Sequence, residues 1–165
     1  GAPRRSIYVT ARRSQPVTFL RSFDAPVMET NCNRRISSNA ATQALMVMNG
    51  EFHTSNAKAF AERVLRECRK GEGGKEPAPE GLQISEHLET GDGPSLAGQV
   101  ARAFELAYGR PAGDHEIRSA LSFLDRQVSS QLSATPDQKV PEAQAAAMAH
   151  LCHALLSSNE FLYVD

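Results

Sequence analysis

The sequence predicts a mainly α protein, about five helices in an irregular orthogonal bundle with short extended segments at both chain ends. Three observations predict this. Ala57, Phe60, Ala61, Val64, Leu65 and Cys68 recur at three- and four-residue spacing, the period of a helix with one buried face. The same period returns in Leu96, Val100, Ala103, Phe104 and Ala107, and again in Ile117, Ala120, Leu121, Leu124 and Val128. Glycine and proline stand between these stripes, at Gly71, Gly109, Pro111 and Pro141, where helices stop and start. A chain of 165 residues reads as a single helical domain, residues 1–165. At that size about two thirds of the unfolded surface can leave water.

Taken in order, Ser6 to Arg12 (SIYVTAR) is β-branched and aromatic and reads as a short strand. Phe19, Leu20 and Phe23 form the apolar side of a brief turn after Pro16, and Pro26 holds Ala25 extended. The densest stretch follows, Cys32 to Phe52, CNRRISSNAATQALMVMNGEF. Short polar side chains at Ser37, Ser38 and Asn39 can accept orphan amide hydrogens, so a helix begins at about Asn39. Ala41, Ala44, Leu45 and Met48 share one face while Met46 and Val47 point elsewhere, which predicts a buried helix. Asn49 and Gly50 tolerate a left-handed conformation and close it, letting Phe52 fold back.

Thr54 or Ser55 caps the second helix, Glu62 and Arg66 form a surface pair four apart, and Gly71 stops it. Residues 71–93 change to Gly, Pro, Glu and Lys, which bury too little to order a backbone and read as a long flexible loop. Pro94 and Ser95 open the third helix and Gly109 ends it. Gly113 or Asp114 opens the fourth, with Glu116 serving its first turn. After a loop from Ala134 to Pro141, an alanine-rich fifth helix starts near Glu142 and buries Met148, Leu151, Leu155 and Leu156. Phe161 to Val164 is apolar without helical spacing and reads as extended, paired with Ser6 to Arg12.

The net charge is −1, yet Arg4, Arg5, Arg12, Arg13, Arg21, Arg34 and Arg35 crowd the first part of the chain. This is either a footprint for an anionic polymer, nucleic acid or sulfated glycan, or a set of arginines that pair with acidic groups of this chain or its parent, and the near-neutral balance favours the pairing. Nucleic acid is disfavoured because no aromatic side chains interleave with the arginines. No run of apolar residues approaches the roughly 20 that span a bilayer. The N-terminal GAPRRSIYVTARR has no apolar region behind its basic residues, so these residues carry no signal peptide. Cys32, Cys68 and Cys152 form no CxxC pair and allow at most one disulfide.

A polar knot is centred on Asp24, Cys32, Arg34, Arg35, Asn39, Gln43 and Asn49. Asn39 and Gln43 are four apart and share a face, and the arginines can serve buried amides or clamp Asp24. A buried ion pair ordering a loop and a carboxylate held for acid–base work have the same signature here. No set of nucleophile, base and oxyanion donors is visible, so no catalytic residue is assigned. His150 and His153 share a helix face beside Cys152 without further ligand clusters, which favours a structural role over zinc. GEGGK lacks the spacing of a phosphate-binding loop.

The combination RRSIYV, FDAP, CNRRISSNAATQALMVMN, AYGRP and LCHALLSSNEFLYVD resembles the C-terminal part of the planctomycete cytochrome c-associated domain of unknown function, the DUF1553 type. The resemblance implies a C-terminal fragment of a large periplasmic or secreted protein that often carries a c-type haem domain upstream, with no cofactor in this chain. Its partners would be the remainder of that parent or other subunits. Two function classes follow. One is a helical structural or interaction module; the other is part of a polysaccharide-acting hydrolase or other enzyme with a polar site around Arg34 and Arg35. Exposure of the knot discriminates them.

Overall fold

The computed structural model describes residues 41–71, 94–135 and 137–162, with isolated positions at 8, 10, 17 and 20. The chain divides into two compact units, Gly1–Val47 and Met48–Asp165. Six helices are described: α1 (Ala41–Asn49), α2 (Glu51–Arg69), α3 (Leu96–Tyr108), α4 (Asp114–Ala134), α5 (Val140–Leu156) and the single turn α6 (Asn159–Leu162). No strand occurs among the described residues, and the second unit is a helical bundle.

Helix α1 carries most of what is described of the first unit. Gln43 is 5% exposed, whereas Leu45 and Met48 are 55% and 52% exposed. The expectation of an all-round buried helix is therefore corrected. Gln43 and Leu45 lie about 200° apart around a helix of 3.6 residues per turn, so a face that buries the glutamine turns the leucine outward. Gly50 is also corrected. It is extended at φ −71°, ψ 130°, because it serves directly as the N-terminal cap of α2 and must feed the chain forward. Phe52 accordingly lies in the first turn of α2, 70% exposed, and does not fold back.

The start of α2 is four residues earlier than Thr54 suggests. The Thr54 hydroxyl donates to the Gly50 carbonyl at 3.2 Å and Ser55 to the Phe52 carbonyl at 3.0 Å. Both thus bond backward inside a helix already under way, as serine and threonine do when not capping. Ala57, Ala61, Val64 and Cys68 are buried as the stripe predicts. The ion pair on this helix is Arg63–Glu67 at 2.7 Å rather than Glu62–Arg66. Gly71, at φ +81°, ends the helix; the predicted loop beyond it lies outside the described residues.

Ser95 caps α3 by accepting the Gly98 amide at 3.1 Å, and Gly109 closes it at φ +69°, a left-handed conformation that glycine adopts without a Cβ penalty. Gly113 caps α4, and its amide donates to the Glu116 carboxylate at 2.7 Å. Helix α5 starts at Val140 rather than Glu142, with Pro141 in its first turn, where a missing N–H costs nothing. The five-residue connection folds α5 back along α4, and Gln127 meets His150 across that seam at 3.3 Å. Helix α5 also packs along α2. Leu65 and Arg69 from the end of α2 border the same cleft as Pro141 and Ala145 from the start of α5, so these two run oppositely.

The core of the second unit gathers where these helices meet. Val64, Val100, Leu121, Leu124, Val128 and Met148 are at most 1% exposed, and each such side chain contributes roughly 1.5–3 kcal/mol by leaving water. Leu156, predicted inside, is only half-buried, because α5 ends at that residue. The predicted extended end is corrected as well: Phe161 and Leu162 belong to the α6 turn, 41% and 38% exposed. Ser158 supplies the reason, its hydroxyl accepting the Phe161 amide at 3.3 Å and so starting a turn. The pairing partner predicted for this segment, Ser6 to Arg12, falls outside the described residues apart from Tyr8 and Thr10.

Candidate functional site

Of the residues in the predicted knot, Asp24, Cys32, Arg34, Arg35 and Asn39 lie outside the described residues. The two that are described occupy different environments, Gln43 buried at 5% and Asn49 exposed. Among described residues, the densest polar constellation is elsewhere, at the corner where α3 gives way to α4.

Arg110 is its centre. It follows the left-handed Gly109 and precedes Pro111, so it stands on a corner outside any helix with its guanidinium free to reach two ways. Nη1 and Nη2 donate to Glu116 at 2.9 and 2.7 Å, and Nε and Nη2 donate to Glu160 at 2.6 and 2.9 Å. Each carboxylate is thus gripped by two donors, the fork geometry that only arginine supplies. Nη1 also reaches the Pro111 carbonyl at 3.2 Å. The guanidinium lies 5.4 Å from the Tyr108 ring centroid, within cation–π range.

Tyr108 extends the constellation inward. Its ring meets Phe104 edge-on at 5.5 Å. Its hydroxyl shares a 2.9 Å hydrogen bond with Ser158, which donates to the Leu155 carbonyl at 2.8 Å. Three segments distant in sequence, the ends of α3 and α5 and the start of α4, are so tied to α6. The electrostatics follow from the geometry. Arg110, with the Gly113 amide, holds the Glu116 carboxyl down at about 2. Glu160 is lowered by the same arginine, and Arg110 is raised by its two carboxylate partners, Glu116 first.

A second arginine is placed similarly on α3. Arg102 donates to Glu67 through Nε and Nη2 at 3.0 and 2.8 Å and to Glu105 at 2.6 Å. Glu67 is lowered by Arg63 and then by Arg102. A cleft of about 200 Å³ opens between α2, α3 and α5, bordered by Arg69, Gln99 and Gln144 among others. Gln99, 6% exposed, gives its amide to the Pro94 carbonyl at 3.0 Å, which holds the entry to α3.

The remaining candidates behave as packing. Cys68 and Cys152 are free buried thiols, both raised by burial, Cys152 to about 12, far from the range of a nucleophilic thiolate. His153 has its Nε2 buried without a hydrogen-bond partner. No three His, Cys, Asp or Glu side chains converge as a metal would require among the described residues, and no described helix is long and apolar enough to cross a membrane.

Sequence reasoning read AYGRP and SSNEF only as parts of a resemblance and gave Arg110 and Glu160 no role. The signal was present: an arginine between a helix-ending glycine and a proline, with a glutamate in the next helix's first turn. Glu160, fifty residues downstream of Arg110, had no local signal.

A family model described as "Protein of unknown function (DUF1553)" matches residues 1–124. That span includes the Tyr108–Glu116 half of the corner, and Ser158 and Glu160 lie beyond it. No curated protein matches the chain, nor does any solved structure. With three quarters of its length matched, the chain belongs to the DUF1553 family of proteins of unknown function.

Proposed function

We propose that this chain is a helical structural and interaction module of a large exported, cytochrome c-associated bacterial protein. It would work in the periplasm or outside the cell, docked on the remainder of its parent or on neighbouring subunits. The observation that carries this reading is the way the described polar groups pair. Arg110, Glu116, Glu160, Tyr108 and Ser158 engage one another, and Glu67 engages Arg63 and Arg102. These side chains lock helix ends together, whereas an enzyme holds such groups on the floor of an open cleft. The exported, haem-associated setting draws its support from the likeness of RRSIYV, CNRRISSNAATQALMVMN and SSNEFLYVD to that domain type.

The arginines of the first unit test it. In a module, Arg34 or Arg35 anchors a loop to buried partners, so Arg34→Ala or Arg35→Ala costs about 3 kcal/mol in chemical denaturation. In an enzyme acting on polysaccharide the same changes leave stability within about 1 kcal/mol and abolish binding of an anionic glycan. Unchanged stability in both variants together with lost glycan binding would overturn the module.

A further inference from the structure

Asn49 and Gly50 sit at the junction of α1 and α2. Asn49 is exposed and Gly50 half-exposed. The Asn49 side-chain amide makes no hydrogen bond among the described residues. Glycine lacks the Cβ that would shield the Gly50 nitrogen from an approaching side chain.

We propose that Asn49 is a site of spontaneous deamidation, through a cyclic imide formed with Gly50. The Gly50 backbone nitrogen attacks Cγ of Asn49. A bond forms between that nitrogen and Cγ, the Cγ–Nδ2 bond breaks, and ammonia leaves with the proton that the Gly50 amide loses. Water then adds to one of the two imide carbonyls. Opening at one restores the normal backbone with aspartate at 49. Opening at the other leaves isoaspartate, which inserts a methylene into the main chain between the two helices. Either product places a carboxylate one residue before Gly50, the cap of α2, which supplies no side-chain hydrogen bond. Negative charge there favours the positive start of α2 and opposes the end of α1.

Asn56 is the internal control. It lies within α2, its amide donates to the Phe52 carbonyl at 2.7 Å, and Ala57 follows it. The intact chain is held in mildly alkaline buffer at body temperature, digested, and each asparagine peptide is followed by mass spectrometry, with isoaspartyl methyltransferase labelling to detect isoaspartate. Asn49 is expected to gain about one mass unit at least about tenfold faster than Asn56, and Gly50→Ala to slow it about tenfold. Gly50 has a negative φ of −71°, so alanine fits without strain, and an unchanged circular dichroism spectrum verifies the fold. Asn49→Gln should remove the label. Equal rates at Asn49 and Asn56, or a Gly50→Ala chain that reacts as fast as the parent, would overturn the assignment.

Discussion

Helix α4 is held at its middle and at its start by different physics. Leu121 and Leu124 are at most 1% exposed, packed in a seam with residues of α2, α3 and α5, where every lost methylene is felt because neighbours cannot close the gap. At its start, Glu116 keeps a 31% exposed side chain in the grip of Arg110, itself 40% exposed. Water competes for those groups, so their pairing positions the corner more than it stabilises the whole. The contrast teaches that apolar burial maintains the bundle, while the arginine corner decides where α6 lies. Helix α6 has no buried residue of its own, so little besides Arg110 and Ser158 holds it.

The largest effect should come from the seam. Leu121→Ala is expected to cost about 2–5 kcal/mol, read as a lowered denaturation midpoint with α6 still docked. A loss below about 1 kcal/mol would mean that the seam collapses around the gap and that the contrast is false.

Gly109→Ala comes next. Its backbone is at φ +69° with nothing within 4 Å of an added Cβ, so the cost is conformational rather than steric, about 1–2 kcal/mol. The change probes the turn that presents Arg110. Thermal unfolding of Gly109→Ala beside Gly109→Asn separates backbone strain from loss of the corner, since asparagine tolerates this conformation better.

The smallest global effect belongs to the corner itself. Arg110→Ala should free α6, seen as faster hydrogen exchange at Phe161 and Leu162, while the amides around Leu121 stay protected. Its acid behaviour sharpens the point. Glu116 and Glu160 titrate below their ordinary value of 4.5 in the folded chain, Glu116 at about 2. Their contribution is therefore complete above pH 4.5 and is lost as the pH falls through the folded value toward 2. An acid titration should show the parent losing stability across that window and Arg110→Ala losing less of it. Parallel curves would show that the corner carries no linkage.

The helices that built the second unit were legible because each buries one face by a three- and four-residue repeat, and Ser95, Gly109 and Glu116 marked their ends by chemistry that acts within four residues. Phe161 and Leu162 misread as extended because their turn depends on Ser158, whose hydroxyl is in turn held by Tyr108 from fifty residues away. Leu45 and Met48 misread as buried because apolar residues surround α1, and composition does not choose which side turns inward. The knot around Arg34 and Arg35 remains a reading of the sequence.

By itself, the sequence determined the number and order of the principal helices, the ends marked by Ser95, Gly109 and Glu116, and which stripes close the core of the second unit, because hydrophobic period and capping are local properties of a few consecutive residues. Only the tertiary structure decided that Arg110 stands between Glu116 and Glu160, that Glu67 serves Arg102, and that α6 is a helical turn. Those outcomes depend on where helix ends meet after packing, and an ion pair between residues fifty apart leaves no period to read.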